Sequence, residues 1–343
     1  MTLRPLLRHL HVLAAVMATL ICPGLAHAKT WVFKDWAVTC DNTRDCEAVG
    51  FQAEHSGSAP VALWVARDAG RGGNIRGRVN VQSPTQPAGG HMRLVMSDGT
   101  AVEQEDGEDL AAEPMRKLLP RLLESTSVDV FLGKERFVLS LDGFKAAMLK
   151  VDDLQGRIGT PGALVRKGTR SEADVPPELP APVAHPAVAY ANKSTDAALM
   201  DLLSARIGAA CPLHASSRLD APNIKLHRVS ASHVILLREC ERRPFDSGYA
   251  AWLVDDKPPY AARRLTFPRV DSEPADLVAD AEFEEDELRS IGKSDAGDHC
   301  GDDAFWAWTG TAFELTGAHA APLCRGFDGG GFAVSTYQTR EPK

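Results

Sequence analysis

The chain has 343 residues, a formal net charge of −8 and 44 % hydrophobic residues, and this length is enough for two ordinary domains. Only 6 % of the residues are aromatic, so the composition does not indicate a platform on which bases or sugars stack. An acidic chain is also poorly suited to holding a phosphate backbone. We therefore exclude nucleic acid as the expected partner.

The first 28 residues have the pattern of a secretory signal peptide. Arg4 and Arg8 come first without an acid, an apolar run from Val12 to Cys22 follows, and small residues from Ala26 to Ala28 end the segment. The apolar run is shorter than the roughly 20 residues that a transmembrane helix needs. We predict cleavage after Ala28, a periplasmic location and no membrane span after cleavage. The net charge then becomes −10, because two arginines and no acids leave.

The expected mature chain keeps six cysteines, which cluster into three well-separated pairs. An even number in an exported chain indicates disulfides, because the compartment is oxidising. Six cysteines permit fifteen connectivities, and the clustering favours pairing in sequence order. The predicted pairs are Cys40 with Cys46, Cys211 with Cys240, and Cys300 with Cys324. Each of the last two would contribute roughly 3 kcal/mol to stability, whereas the first closes only a turn.

Residues 29–167 are predicted to form a β-rich N-terminal domain. The apolar runs Trp31 to Cys40 and Cys46 to Ala53 flank an Asx-rich turn and predict a hairpin closed by its cysteines. A helix follows from Pro114, and we expect Pro120 to kink or split it. The further predicted elements are strands at 61–66, 75–81, 91–96, 127–132 and 136–141, and a short helix after residue 142.

Residues 168–190 gather five prolines and lose periodicity, which predicts a linker to a second domain at 191–343. That domain begins with a helix from about residue 194 to Gly208, and the acidic run Asp280 to Glu287 is expected at a hairpin tip. Its predicted strands are 224–229, 234–240, 249–254, 264–267, 281–283, 288–293, 304–309, 311–316 and 332–337. The predicted fold class is mainly β, of the α+β type with a few short helices, in two β-rich domains joined by a Pro-rich linker.

Two stretches carry a family resemblance. Phe33 to Asn42, with Cys46 shortly after, and Asp298 to Arg325, with Trp306-Ala307-Trp308 inside it, resemble a bacterial envelope family catalogued as domain of unknown function 1176. This resemblance covers essentially the whole expected mature chain. The first domain, which ends with Leu139 to Ala147, is also similar to the invasion-associated locus B family of small exported β-rich proteins. Neither resemblance implies a catalytic residue.

The densest set of possible metal ligands surrounds His299 and Cys300. The aspartates beside them are Asp295, Asp298, Asp302 and Asp303. A metal would need a Cys300 thiolate, which the predicted disulfide excludes, and the spacings of zinc sites and calcium loops are absent. We expect a solvated turn here, with no metal and no other cofactor.

Trp306 and Trp308 are two residues apart, so both point to one face of a strand, in a hairpin with Gly310 at its tip. That face is either core or, if exposed, a binding ridge. Arg325 is expected to form a structural ion pair with a nearby aspartate or, alternatively, to contact a ligand. The candidate binding surface therefore comprises Trp306, Trp308 and Arg325.

The leading functional hypothesis is a non-catalytic binding or interaction module of the bacterial envelope, whose partner is an envelope protein or a glycan. The sequence has no Gly-x-Ser-x-Gly motif and no spare cysteine to pair with a histidine, so we assign no catalytic residue. One alternative is a hydrolase in which His299 and Asp302 or Asp303 act as acid and base. A second alternative is an inhibitor that presents a rigid loop to a lytic enzyme.

The cysteine pairing can be tested by peptide mapping of the exported chain without reduction. We expect three linked peptide pairs, each joining neighbouring cysteines in the order given above. Alkylation before reduction should label none of the six, because all are predicted to be oxidised. A labelled thiol among them would reopen the metal and nucleophile hypotheses.

Overall fold

A computed structural model describes residues 29–83, 85, 91–104, 109–214, 221–270, 272–293, 301–323, 325–327 and 331–342. Across these residues the fold is mainly β, as predicted, with four antiparallel sheets and three α-helices. The predicted signal peptide and the predicted bond between Cys300 and Cys324 lie outside them. None of the described helices is long and apolar enough to cross a membrane.

The first half forms two sheets and two helices. The elements are β1 (Trp31–Phe33), β2 (Trp36–Cys40), β3 (Cys46–Phe51), β4 (Val61–Arg67), β5 (Ile75–Val81), β6 (Met92–Met96), β7 (Ala101–Gln104), β8 (Asp109–Leu110), α1 (Ala112–Glu124), β9 (Ser127–Leu132), β10 (Glu135–Ser140) and α2 (Phe144–Leu154). The first sheet has the order β1-β2-β3-β4-β5-β8, and the second has the order β10-β9-β6-β7. The disulfide Cys40–Cys46 closes the turn between β2 and β3, as predicted.

Two local predictions in this half are wrong. The run Trp31 to Cys40 forms two strands instead of one, because Lys34 has a φ of 55° and turns the chain between Phe33 and Trp36. Pro120 does not split α1, which is continuous. Pro120 has no N–H to donate to the carbonyl four residues earlier, but Pro120 is exposed and so is the turn that carries this carbonyl. Buried leucines on the opposite face of α1 hold the helix in place.

Strands β2, β3 and β4 of the first sheet are buried on both faces. On one face Trp36 is fully buried, lies 4.6 Å from the Phe144 ring, and donates its Nε1–H to the Ser140 carbonyl at 2.9 Å. On the other face, a cluster from β2, β3 and β4 packs against residues from the second half of the chain. The members of this shared cluster are Ala37, Val49, Phe51, Ala62, Phe327 and Val334. The two halves therefore share a hydrophobic core.

The second half forms two further sheets. Its elements are α3 (Asp196–Ile207), β11 (Ile224–Arg228), β12 (His233–Arg242), β13 (Ser247–Asp255), β14 (Ala262–Leu265), β15 (Val278–Ala279), β16 (Glu282–Glu284), β17 (Glu287–Ile291), β18 (Asp303–Trp308), β19 (Phe313–Ala320) and β20 (Val334–Gln338). The third sheet has the order β11-β12-β13-β14, with β15 also paired to β13, and the fourth is the meander β16-β17-β18-β19-β20. The predicted disulfide Cys211–Cys240 is present.

The predicted linker, residues 168–190, is hydrogen-bonded to both halves. The Leu179 amide donates to the Thr43 carbonyl at 3.0 Å, and the Ala187 amide donates to the Trp308 carbonyl at 2.7 Å. The segment also pairs through Val183 with Arg340. The domain boundary in this stretch remains a prediction, but the stretch itself is a docked strap.

Polar contacts join the turn of the first disulfide to β20. The Gln338 side chain donates to the Asp41 carboxylate at 2.7 Å, and its backbone exchanges two hydrogen bonds with the Asn42 side chain. On the next strand, the Glu47 carboxylate accepts the Ser335 amide at 2.7 Å. Side chains of the first half thus form hydrogen bonds with backbone groups on the outer edge of β20, which would otherwise be an open sheet edge.

Phe327→Ala should lower the free energy of unfolding by about 3 kcal/mol, because it leaves a cavity in the shared core. Phe327 is 3 % exposed, and its ring lies 6.0 Å from the Phe51 ring. The matched control is Phe245→Ala, since Phe245 is 43 % exposed. The measurement is urea unfolding of both variants. Equal losses in the two variants would contradict the shared core.

Candidate functional site

A cavity of about 920 Å³ is lined by the third and fourth sheets, and we call it the groove. Its lining includes residues from 243–246, 268–270, 277–279, 292–293, 301–304 and 318–321. Thr30, which precedes β1, also lines it, so the first half of the chain contributes to the wall. All the other lining residues lie between Arg243 and Thr336, so the groove belongs mainly to the second half.

The two tryptophans lie in the core. Trp306 is 2 % exposed and Trp308 is 6 % exposed, and both belong to a cluster with Phe267 and Phe313. The Trp306 Nε1–H donates to the Pro268 carbonyl at 2.8 Å. Of the two possibilities for this face, core or exposed ridge, the structure shows the core, because this face of β18 packs against aromatic side chains. Trp306 still forms part of the inner wall of the groove.

Arg325 is also unavailable to a ligand. Its side chain is 8 % exposed and forms ion pairs with Asp35 at 3.1 Å and Glu54 at 3.2 Å. The Arg325 carbonyl accepts a hydrogen bond from the Gln52 side chain at 2.6 Å. The structural ion pair was predicted, but its partners come from the first half of the chain and not from the neighbouring aspartates.

A histidine that the sequence did not single out lies in the groove. His319 Nδ1 is 2.8 Å from the Asp303 Oδ1, and the two residues face each other across β18 and β19. The hydrogen bond to Asp303 raises the pKa of His319, and burial opposes this effect. The Phe305 ring meets the imidazole edge to face at 5.8 Å. Within the described chain, Nε2 has no hydrogen-bond partner.

The pair of His319 and Asp303 differs from the predicted acid and base, which were His299 with Asp302 or Asp303. Asp303 lines the groove as one of the two candidate carboxylates, but its partner is His319, while His299 lies outside the described residues. Asp303 also lies 3.8 Å from the Arg289 guanidinium. The dyad can hold and release a proton or act as a cationic hydrogen-bond donor.

Two hydroxyl groups of the lining, those of Ser290 and Thr336, are already committed as donors. The Ser290 hydroxyl donates to the Ala279 carbonyl at 2.7 Å, and the Thr336 hydroxyl donates to the Ala318 carbonyl at 3.0 Å. Neither is hydrogen-bonded to His319. A nucleophile activated by the dyad is therefore not formed by these two side chains.

The rim of the groove combines an exposed ring with charged groups. Phe245, in the turn between β12 and β13, is 43 % exposed. Arg243 and Lys293 are paired with acids, at 2.6 Å to Asp246 and 3.3 Å to Asp280 respectively. The rim therefore offers apolar and charged contacts side by side.

A second arrangement resembles a catalytic triad but serves a turn. Ser230 and Ser232 each lie 3.0 Å from His233 Nδ1, and His233 Nε2 lies 3.1 Å from Asp255. The Ser230 oxygen also accepts the backbone amides of Ser232 and His233. These bonds cap the turn before β12, as serine commonly does in turns. We assign this cluster no catalytic role.

Metal ligands do not gather in the parts of the chain that the structure describes. No group of three or more His, Cys, Asp or Glu side chains there could hold an ion. The solvated turn predicted around His299 lies mostly outside those parts.

Asp303→Asn should lower the pKa of His319, because it removes the anion that stabilises the imidazolium. Since the folded-state pKa is raised, this pair stabilises the fold fully below about pH 6.5, and the contribution is lost as the pH rises through the folded value. The stability difference between wild type and variant should therefore be larger at about pH 5.5 than at about pH 8.5.

NMR titration of the His319 ring measures the pKa, and urea unfolding measures the stability. Asp302→Asn is the matched control, because the Asp302 side chain does not contact His319. An unchanged His319 pKa in Asp303→Asn would contradict the assigned pair.

Comparison with known proteins returns sequence relatives without an assigned activity. The model of a family described as "Protein of unknown function (DUF1176)" matches residues 30–339. The uncharacterized protein YpfG of Escherichia coli (strain K12) is 27 % identical over 325 residues, which cover 87 % of this chain and 89 % of that protein. No solved structure matches the chain significantly. The similarity of the first domain to invasion-associated locus B remains a prediction.

Proposed function

Because the chain belongs to the DUF1176 family of proteins of unknown function, membership assigns no activity, and we propose from the structure that it is a non-catalytic binding module of the bacterial envelope. The groove is the proposed binding site. One observation carries this proposal: a cavity of about 920 Å³ with a mixed apolar and charged lining and an exposed ring at its rim. Ligand pockets have volumes of roughly 300–1,000 Å³ and this kind of lining.

Export to the periplasm is supported by the cysteines. The disulfides Cys40–Cys46 and Cys211–Cys240 are of the kind that persists in oxidising compartments. The pattern of the first 28 residues supports the same location. We propose that the working form is the chain from residue 29 onward, in the periplasm.

Binding accounts for the groove better than hydrolysis does. The hydrolase alternative now rests on His319 and Asp303, because His299 is outside the described residues. The raised pKa of His319 favours its protonated form, and an imidazolium has no free lone pair with which to act as a general base. The hydroxyls of Ser290 and Thr336 donate to carbonyls instead of to the imidazole. The inhibitor alternative is weaker still, since the stretches 301–306 and 318–321 line a concave wall.

The proposal can be tested by photo-crosslinking in living bacteria. A photoreactive amino acid replaces Phe245 at the rim or, as matched controls, Val32 and Leu202, which are 52 % and 45 % exposed and do not line the groove. We expect adducts from position 245 at about ten times the control level, a difference of roughly 1.4 kcal/mol in occupancy. Equal labelling at all three positions would contradict a binding role for the groove.

A second substitution in the same experiment fills the groove. Ala321 is a half-buried lining residue. Ala321→Trp should abolish the adducts from position 245, whereas Ala321→Ser should keep them, because serine adds only one atom. Adducts that persist at full level in Ala321→Trp would place the partner elsewhere. Product release by the wild-type chain that Asp303→Asn abolishes would favour hydrolysis.

A further inference from the structure

The ring at the rim is held rigidly. The Arg243 amide donates to the Asp246 carbonyl at 2.9 Å, the Arg243 side chain pairs with the Asp246 carboxylate at 2.6 Å, and the Lys293 amide lies 3.4 Å from that carboxylate. Phe245 is thus presented from a turn that is fixed on both sides. A preorganised exposed aromatic side chain is a typical anchor for a protein partner, because little conformational entropy is lost on binding.

Two lining side chains of opposite charge have no partner in the described chain. Arg269 and Asp302 are exposed, and neither forms an ion pair or a side-chain hydrogen bond there. The other charged lining residues differ, since Arg243, Lys293 and Asp303 are each paired. An unpaired guanidinium at the edge of a cavity favours a ligand carboxylate. An unpaired carboxylate likewise favours an N–H donor.

The inner wall favours an apolar group over a sugar. Hydroxyl donors of Ser290 and Thr336 are occupied by carbonyls, and the Trp306 ring is buried with its N–H bonded. Among the described lining residues, Phe245 is thus the exposed aromatic face. The aliphatic part of the wall includes Val270, Leu277, Val278, Leu315 and Ala318. A wall of this kind gains most from burying an aliphatic side chain.

Building on the proposed function, we propose that the groove binds an extended peptide segment of a partner protein that carries an apolar side chain next to an acidic one. The apolar side chain packs against Phe245 and the aliphatic wall, the carboxylate pairs with Arg269, and a peptide N–H or a basic side chain meets Asp302. Peptides supply all three groups within a few residues, which matches the mixed lining.

The test uses a displayed library of random 12-residue peptides, panned against the purified full chain. We expect enrichment of sequences with an aliphatic or aromatic residue beside Asp or Glu. Phe245→Ala should weaken a selected peptide about tenfold in fluorescence polarisation, which is roughly 1.4 kcal/mol. Arg269→Glu should reverse the selection toward Lys and Arg. Its matched control is Arg116→Glu on the exposed face of α1, which should leave the selection unchanged.

The outcomes separate this proposal from the one it rests on. Enrichment of the same acidic peptides by Arg269→Glu, or by the filled variant Ala321→Trp, would overturn the peptide assignment. Binding of a glycan array that Ala321→Trp abolishes would also overturn it, while leaving the groove as a binding site. Absence of photo-adducts at position 245 in cells, by contrast, would contradict the proposed function itself.

Discussion

The structure depends on one constraint, which is that strands β2, β3 and β4 of the first sheet carry apolar residues on both faces. Trp36 and its neighbours on one face are covered by α2 and the second sheet, whereas Phe51 on the other face is covered only when Phe327 and Val334 dock. Covering one face of such a sheet is not enough, because the other face would still expose a contiguous hydrophobic patch to water. The second half of the chain supplies the missing layer, and its own fourth sheet is oriented by doing so.

This docking also brings Thr30 of the first half to the wall of the groove. The turn closed by Cys40–Cys46 bonds to Gln338, and Asp35 pairs with Arg325, so both edges of the interface are fixed by polar contacts around an apolar centre. The groove is formed by the same fourth sheet and includes Thr30 from the first half.

Local patterns predicted the elements well and the long-range pairings poorly. The alternation of buried and exposed residues in β5 and the acidic turn between β16 and β17 could be predicted, because both depend on residues that are neighbours in sequence. The His319 pair could not, for a definite reason. Counted outward from Gly310 without a bulge, Asp303 faces Ala318, and a one-residue shift beside Trp306 brings it opposite His319. Nor does any local signal indicate that Arg325 pairs with Asp35, 290 positions away.

The bond between Asn42 and Gln338 joins residues 296 positions apart, and the strand that carries Gln338 is the last one the structure describes. Its place against the first sheet has a consequence for how the chain matures. Residues near position 42 are synthesised long before their partners, so the apolar face around Phe51 stays exposed to water until the last described strand has been made. Contacts between residues so far apart in sequence form slowly, and the protein can aggregate through the uncovered apolar face until they have formed. For this protein, that interval of exposure lasts until β20 has been synthesised.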